Sequence, residues 1–141
     1  MDLSYLIMPF FAWLVAGISK FCINSFRAKQ LAFGLIGYGG MPSNHSAIVS
    51  SMVALIGFTE GIDHPAFGVA ITLAFIVLLD ANSLRRQVGK HAEAINQLYV
   101  DKLNTDSEVP SLRERIGHTK FEILGGIFTG IITAYLVHSF L

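Results

Sequence analysis

Four apolar segments dominate the pattern of hydrophobic and polar residues along the chain. Residues 3–19 contain no Asp, Glu, Lys or Arg. They are nearly long enough to cross a hydrocarbon core about 30 Å thick, which takes roughly 20 helical residues. Residues 65–84 and 121–141 are similarly apolar, with one acidic residue each, Asp80 and Glu122. These three segments predict transmembrane helices.

The remaining apolar segment, residues 30–59, also lacks Asp, Glu, Lys and Arg, but four glycines between positions 34 and 40 and Pro42 interrupt it. Glycine and proline disfavour a continuous helix. We therefore predict a short re-entrant or interfacial arm, followed by a transmembrane helix from about Ser43 to Thr59. This helix is the second of four in chain order.

A long polar stretch separates the third predicted helix from the fourth. Within it, the segment LRRQVGKHAEAINQLYV has apolar residues at helical spacing, namely Leu84, Val88, Ile95 and Leu98. This pattern predicts an amphipathic helix on the membrane surface. The expected fold class is all-α, an integral membrane helical bundle with about four transmembrane helices, an arm and a surface helix, in a single domain 1–141.

Small residues recur at positions where neighbouring helices could touch. Ser46, Ser50 and Ala54 are spaced four apart on the second helix, and Gly126 and Gly130 have the same spacing on the fourth. Such faces allow helix backbones to approach closely in lipid. They mark candidate packing surfaces of the bundle.

Composition agrees with a membrane protein, since 52% of the residues are hydrophobic and only 14% are charged. A formal net charge of zero gives no indication of a nucleic-acid partner. The single cysteine, Cys22, excludes both an internal disulfide and a cysteine-based metal cluster.

The placement of charge predicts the orientation of the chain. All 10 Lys and Arg residues fall on one side of a four-helix topology, and the charged residues on the opposite side are all acidic. The positive-inside rule then puts the basic side in the cytoplasm and both termini outside, in a multi-pass protein of the cell (inner) membrane. The asymmetry remains when Lys20, Arg27 and Arg113, which could hold an anion, are left out of the count.

The start of the second helix has the features of an anion site. Ser43 or Asn44 is the expected N-cap, so the free N–H groups of the first turn would face the cytoplasmic side. His45 stands in that first turn and could donate a proton to a departing oxygen. The predicted site therefore faces the cytoplasm.

A second cluster lies at the start of the fourth helix, in the segment RERIGHTKFEILGG. His118 and Glu122 are four residues apart and share one helix face. A carboxylate one turn away can accept a hydrogen bond from one imidazole nitrogen and leave the other free to react. Arg113 and Arg115 add positive charge just ahead of the histidine.

The order and spacing of these residues resemble the type 2 phosphatidic acid phosphatase superfamily, which includes vanadium haloperoxidases, and in particular its small divergent branch of bacterial membrane proteins. The superfamily pattern is K-x(6)-R-P, then P-S-G-H, then S-R-x(5)-H-x(3)-D. Lys20 and Arg27 have the first spacing, residues 42–45 (PSNH) resemble the second motif, and His118 with Glu122 resembles the end of the third.

The resemblance implies a metal-independent phosphomonoesterase that needs no cofactor. By this resemblance, His118 would attack phosphorus to form a phosphohistidine, Glu122 would orient His118, and His45 would protonate the leaving alcohol. The residues implied in phosphate binding are Lys20, Arg27, Ser43, Asn44 and Arg113.

The chain departs from the superfamily pattern at several places. Ala28 replaces the proline of the first motif, Asn44 replaces the glycine of the second, and Glu122 replaces the aspartate of the third. Arg113 is one residue nearer the histidine than the pattern requires, so Arg115 is an alternative ligand.

The segment DANSLRRQVGKHAEAIN has no counterpart in the superfamily pattern, and Asp80, Arg85 and Arg86 are its candidate auxiliary residues, together with Arg115. A carboxylate near the end of an apolar helix needs a partner. The candidates for Asp80 are Lys20, Arg85 and Arg86. Neither arginine shares a face with Asp80 on a regular helix, so the sequence requires a helix irregularity near Asn82 or a partner from the first helix.

Three functional classes are compatible with the sequence. The first is a lipid-phosphate phosphatase, whose partners are the bilayer and a lipid phosphate. The second is a non-catalytic protein that binds anionic lipid with the same cations, and the third is a transporter with an intramembrane polar path. A metal-dependent activity would instead favour Asp80, His45 and His118 as ligands. A homo-oligomer is left open, and no nucleic-acid partner is expected.

The orientation is tested by placing reporters on the two sides. A reporter fused after Leu141 is expected outside the cytoplasm. A cysteine at Asn104, in a chain whose Cys22 is replaced by serine, should be blocked only by reagents that cross the membrane. Labelling of that cysteine by an impermeant reagent in intact cells would contradict the predicted topology.

Overall fold

Helices make up all the regular structure in the residues that the computed structural model describes, which are 3–29, 40–103, 111–114 and 116–140. Most of the predicted arm lies outside these residues, as does Arg115. In chain order the helices are α1 (Ser4–Ala28), α2 (Asn44–Thr59), α3 (Pro65–Leu79), α4 (Arg85–Leu103) and α5 (Lys120–Phe140). The prediction of an all-α membrane helical bundle is confirmed.

Among the described residues, three stretches of helix are long and apolar enough to cross a membrane, namely Ser4–Ala28, Pro65–Tyr99 and Lys120–Phe140. The predicted second span, α2, has 16 residues and is therefore about 24 Å long. This is shorter than a hydrocarbon core of about 30 Å. Of the four spans expected, α2 is thus the short one.

The short helix α2 lies at the centre of the bundle, where it packs against α1, α3 and α5. Its backbone approaches α5 closely, because a Cβ built at Gly130 would lie 2.5 Å from the Ala47 carbonyl oxygen and one built at Gly126 would lie 2.7 Å from the Ser46 Cβ. The small residues singled out in the sequence therefore do mark a helix contact. They let α2 and α5 run side by side and parallel.

Contacts between helix ends fix the direction of each helix. The Tyr5 hydroxyl donates a 2.7 Å hydrogen bond to a carboxylate oxygen of Glu60 and also bonds Thr59, so the start of α1 meets the end of α2. Phe67, near the start of α3, contacts Gly57. The starts of α2 and α5 consequently lie at the same end of the bundle as the ends of α1 and α3. We call this the site end.

A π-helical turn, Asp80–Leu84, joins α3 to α4 without a loop. The Arg85 N–H bonds the Asp80 carbonyl oxygen, five residues back. This wide turn is the irregularity that the sequence required near Asn82. The predicted amphipathic helix, α4, accordingly follows the third span without a loop.

Large apolar side chains cover the outer faces of the long helices. Phe10 on α1, Phe75 on α3 and Phe128 on α5 are each more than 60% exposed. The buried core by contrast is made mainly of small side chains, with Met8 and Leu55 as its largest apolar members. An apolar exterior of this kind suits contact with lipid.

The α2–α5 contact predicts a strong dependence on Gly130. A Gly130→Ala substitution should lower the thermal midpoint in detergent, because the added methyl group would overlap the α2 backbone and overpacking costs about 1–3 kcal/mol. The matched control is Gly68→Ala on α3, where a Cβ meets nothing within 4 Å. An equal midpoint for the two variants would show that α2 and α5 do not pack as described.

Candidate active site

Ser43 is the N-cap of α2, at the site end of the bundle. Its backbone is extended, and its side-chain oxygen accepts hydrogen bonds from the Ser46 N–H at 3.4 Å and the Ser46 hydroxyl at 3.0 Å. The Ser43 N–H in turn donates to the Glu122 carbonyl oxygen at 2.9 Å. Ser43 is fully buried. Its observed contacts are those of a helix cap that also ties α2 to α5.

The first turn of α2 brings His45 to the site. The His45 and His118 rings are 6.3 Å apart, centre to centre, and inclined at 55°. His45 is exposed, whereas the His118 side chain is only 10% exposed. The two histidines, which are 73 positions apart in sequence, are thus close enough to contact one small substrate group together.

Glu122 holds His118 in place and also caps the start of α5. Its carboxylate oxygen Oε2 lies 3.3 Å from His118 Nδ1 and accepts a 2.8 Å hydrogen bond from the Thr119 N–H. The Glu122 N–H donates to the Thr119 hydroxyl at 3.3 Å. These reciprocal bonds form a capping box. The T-x-x-E signature at residues 119–122 is present in the sequence, and our sequence analysis missed it.

The surroundings of His118 favour its neutral form. Burial lowers the pKa of the imidazole below its ordinary value of 6.5, and the charges of Lys20 and Arg85 act in the same direction, while the hydrogen bond to Glu122 opposes them. A neutral ring that donates its Nδ1–H to Glu122 has its lone pair on Nε2. His118 therefore has the tautomer that a nucleophile needs.

The backbone of residues 111–114 and 116–118 packs on α4 and the π-helical turn. Asn96 bonds both the N–H and the carbonyl oxygen of Leu112 at 2.8–2.9 Å, and the His118 N–H donates to the Ala81 carbonyl oxygen at 3.2 Å. Gly117 has a φ of +104°, a left-handed conformation that favours glycine. These residues position His118. Because the contacts depend on tertiary packing, the local sequence pattern did not reveal them.

Asp80 and Arg85 form an ion pair beside His45. The Arg85 Nε donates to Asp80 Oδ2 at 2.9 Å, and the Arg85 Nη2 lies 3.3 Å from His45 Nε2. Of the three partners considered for Asp80, the structure pairs it with Arg85. Lys20 instead lies where its charge acts on Glu122 and His118.

The other predicted residues lie at different distances from this cluster. Asn44 has a buried side-chain oxygen without a hydrogen-bond partner among the described residues. Arg27 is exposed in the last turn of α1, about two turns beyond Lys20. Arg86 is exposed on α4. Arg113 lies between Leu112 and Glu114, which both contact Asn96. Asn96 is about three turns beyond Arg85 along α4.

The cluster as a whole contains a largely buried imidazole bonded to a carboxylate, a second imidazole 6.3 Å from it, two cations and the first turn of a helix. Among the described residues, no group of three or more His, Cys, Asp or Glu side chains is arranged to hold a metal ion. The groups present can attack, protonate and stabilise an anionic centre with side chains alone.

Comparison with known proteins relates this arrangement to a family. The model of the divergent PAP2 family matches residues 1–133. The uncharacterized membrane protein YuiD of Bacillus subtilis (strain 168) is 31% identical over 142 aligned residues, which cover 92% of this chain and 90% of that protein. No solved structure matches the chain. The resemblance inferred from the three motifs is thereby confirmed, and the chain, a membrane protein, belongs to the divergent PAP2 family.

Proposed function

We propose that this membrane protein is a phosphatase that hydrolyses a lipid phosphomonoester through a phosphohistidine on His118. The observation that carries the proposal is the pairing of two histidines 6.3 Å apart, one of which is oriented by a carboxylate. Membership of the divergent PAP2 family supports a relationship to phosphatases. The proposed reaction needs no metal and no cofactor.

In the first half-reaction, His118 Nε2 attacks the phosphorus atom. A nitrogen–phosphorus bond forms while the bond from phosphorus to the lipid oxygen breaks, and His45 gives a proton to that oxygen, so the lipid leaves as an alcohol. Glu122 accepts the Nδ1–H hydrogen bond throughout. Its negative charge stabilises the positive charge that develops on the imidazole.

In the second half-reaction, water attacks the phosphohistidine from the side the alcohol has vacated. His45 accepts a proton from the water as the new oxygen–phosphorus bond forms and the nitrogen–phosphorus bond breaks. Inorganic phosphate leaves and both histidines return to their starting states. Each histidine thus acts twice, with opposite roles in the two steps.

Positive groups around the two rings would stabilise the phosphoryl oxygens in both steps. Lys20 contributes a cation whose charge acts on Glu122 and His118. The first-turn N–H groups of Asn44 and His45 have no intrahelical carbonyl partner, as at any helix start, and can donate to an oxyanion. Arg27, which lies farther along α1 than Lys20, is the proposed ligand for the lipid head group.

The position of the site in the bundle supports a lipid substrate. Helices α1, α3 and α5 expose large apolar side chains to the surroundings, and their site end carries the basic residues. A lipid chain can lie against the apolar faces while its phosphate reaches the histidines. By the positive-inside rule we further propose that the site faces the cytoplasm from the cell (inner) membrane.

Substitution of the histidines tests the assignment of roles. His118→Ala should abolish phosphate release from lipid phosphates by the purified protein. His45→Ala should still form a phosphoenzyme, but only from substrates with good leaving groups, because these need no acid. His91→Ala, an exposed histidine on α4, is the control and should keep full activity. Wild-type rates in His118→Ala would refute the nucleophile assignment.

The lowered pKa of His118 predicts the pH dependence of the first step. The neutral nucleophile predominates above its pKa, so phosphoenzyme formation from an activated substrate should rise with pH below 6.5 and be level at neutral pH. Glu122→Gln removes the charge that raises this pKa, while glutamine can still cap α5. The inflection should move to lower pH and the plateau rate should fall. An inflection above 6.5 in the wild-type protein would contradict the neutral nucleophile.

A further inference from the structure

We infer that Arg85 is a phosphate-binding residue which, in the absence of phosphate, is held on His45 and keeps that imidazole unprotonated at Nε2. The inference rests on the proposed function for the identity of the site. It adds a ligand from outside the three motifs, together with a proton switch that couples phosphate binding to the acid.

The π-helical turn is what brings Arg85 to the site. On a regular α-helix, residues five apart point about 140° away from each other. Because Asp80–Leu84 is wound more widely, Arg85 Nε reaches Asp80 Oδ2 at 2.9 Å. The carboxylate holds the guanidinium by one edge. The other edge, which carries Nη2, is directed to His45.

The same turn fixes the nucleophile. The carbonyl oxygen of Ala81, within the turn, accepts the His118 N–H at 3.2 Å. The charge of Arg85 is one of those that act on His118. Arg85 therefore lies close both to His45 and to the backbone just before His118, where a phosphoryl group bound by His118 and His45 would be within its reach.

The contact between Arg85 and His45 specifies a protonation state. A guanidinium group donates hydrogen bonds and cannot accept them. The 3.3 Å approach of Nη2 to His45 Nε2 thus requires a lone pair on that nitrogen. An imidazole in this state cannot donate a proton from Nε2 to a leaving oxygen.

Phosphate binding would release the imidazole. A phosphoryl group is negatively charged, and a charge-assisted hydrogen bond from arginine to phosphate is stronger than one to a neutral ring. Arg85 would transfer its Nη2 donor to the phosphoryl oxygen while Asp80 keeps hold of Nε. His45 Nε2 then takes up a proton from water, favoured by the nearby anion. His45 can therefore act as an acid only when phosphate is bound.

Binding of inorganic phosphate to the purified protein tests the ligand assignment without requiring turnover. In calorimetric titrations, Arg85→Gln should weaken orthophosphate binding by about tenfold or more, since hydrogen bonds to charged groups contribute about 1.5–3 kcal/mol. Arg85→Lys, which keeps the charge but loses the fork, should give an intermediate value. The control Lys90→Gln removes a charge from the exposed face of the same helix and should bind as the wild type does.

The switch is tested by the nitrogen chemical shifts of labelled histidines, with His45 assigned from a His45→Gln sample. In the wild-type protein, His45 Nε2 should change from unprotonated to protonated when orthophosphate is added at neutral pH. Arg85→Lys, whose far-ultraviolet spectrum should show that it is folded, should lose the contact with His45 Nε2. The nitrogen shift of His45 should then differ less between the phosphate-free and the phosphate-bound protein. A protonated His45 Nε2 in the phosphate-free protein would overturn the switch.

The outcomes separate this inference from the proposed function. Orthophosphate binding that depends on Arg85, with no release of phosphate from any lipid phosphate, would refute the phosphatase and uphold the ligand. Full hydrolysis of a lipid phosphate, with equal orthophosphate affinity in the wild-type protein and Arg85→Gln, would uphold the phosphatase and refute Arg85 as a ligand. Failure of the wild-type protein to bind orthophosphate would also overturn the inference.

Discussion

The hydrogen bond from the Ser43 N–H to the Glu122 carbonyl oxygen joins the first turns of α2 and α5. Within a membrane, the free N–H groups at the start of a helix need partners from the protein itself. Here one such group is satisfied by a neighbouring helix, and the glycines at 126 and 130 permit the required backbone approach. His45 and His118 flank this junction on their own segments. Their 6.3 Å separation is therefore a consequence of how two helix starts are tied together.

A second constraint acts from the opposite side of the site, through the π-helical turn between α3 and α4. A regular helix there would separate Asp80 from Arg85 and would use the Ala81 carbonyl oxygen within its own ladder of hydrogen bonds. The wider turn instead provides an ion pair and a carbonyl acceptor for the His118 segment. Irregular helix turns of this type are frequently found at functional sites.

Much of the fold could be predicted because each span carries a local signal. Apolar length predicted the spans, small residues marked packing faces on α2 and α5, and residue type limited the N-cap of α2 to Ser43 or Asn44. The pairing of His118 with Glu122 was predicted from their spacing alone. Lys20 was considered as a partner for Asp80 because sequence could not show how the turn at 80–84 is wound. The contacts of Leu112 and Glu114 with Asn96 were beyond prediction, since they join segments that meet only in the folded chain.

Glu122 serves two structural elements with one carboxylate. It closes the capping box with Thr119 and holds the His118 ring through the same oxygen. An aspartate has an arm shorter by one methylene, and the capping box is built with Glu or Gln at this position. The exchange of aspartate for glutamate relative to the superfamily pattern thus joins the initiation of α5 to the orientation of the His118 ring. A substitution at this position changes both together, so a change in one would have to be compensated by residues elsewhere.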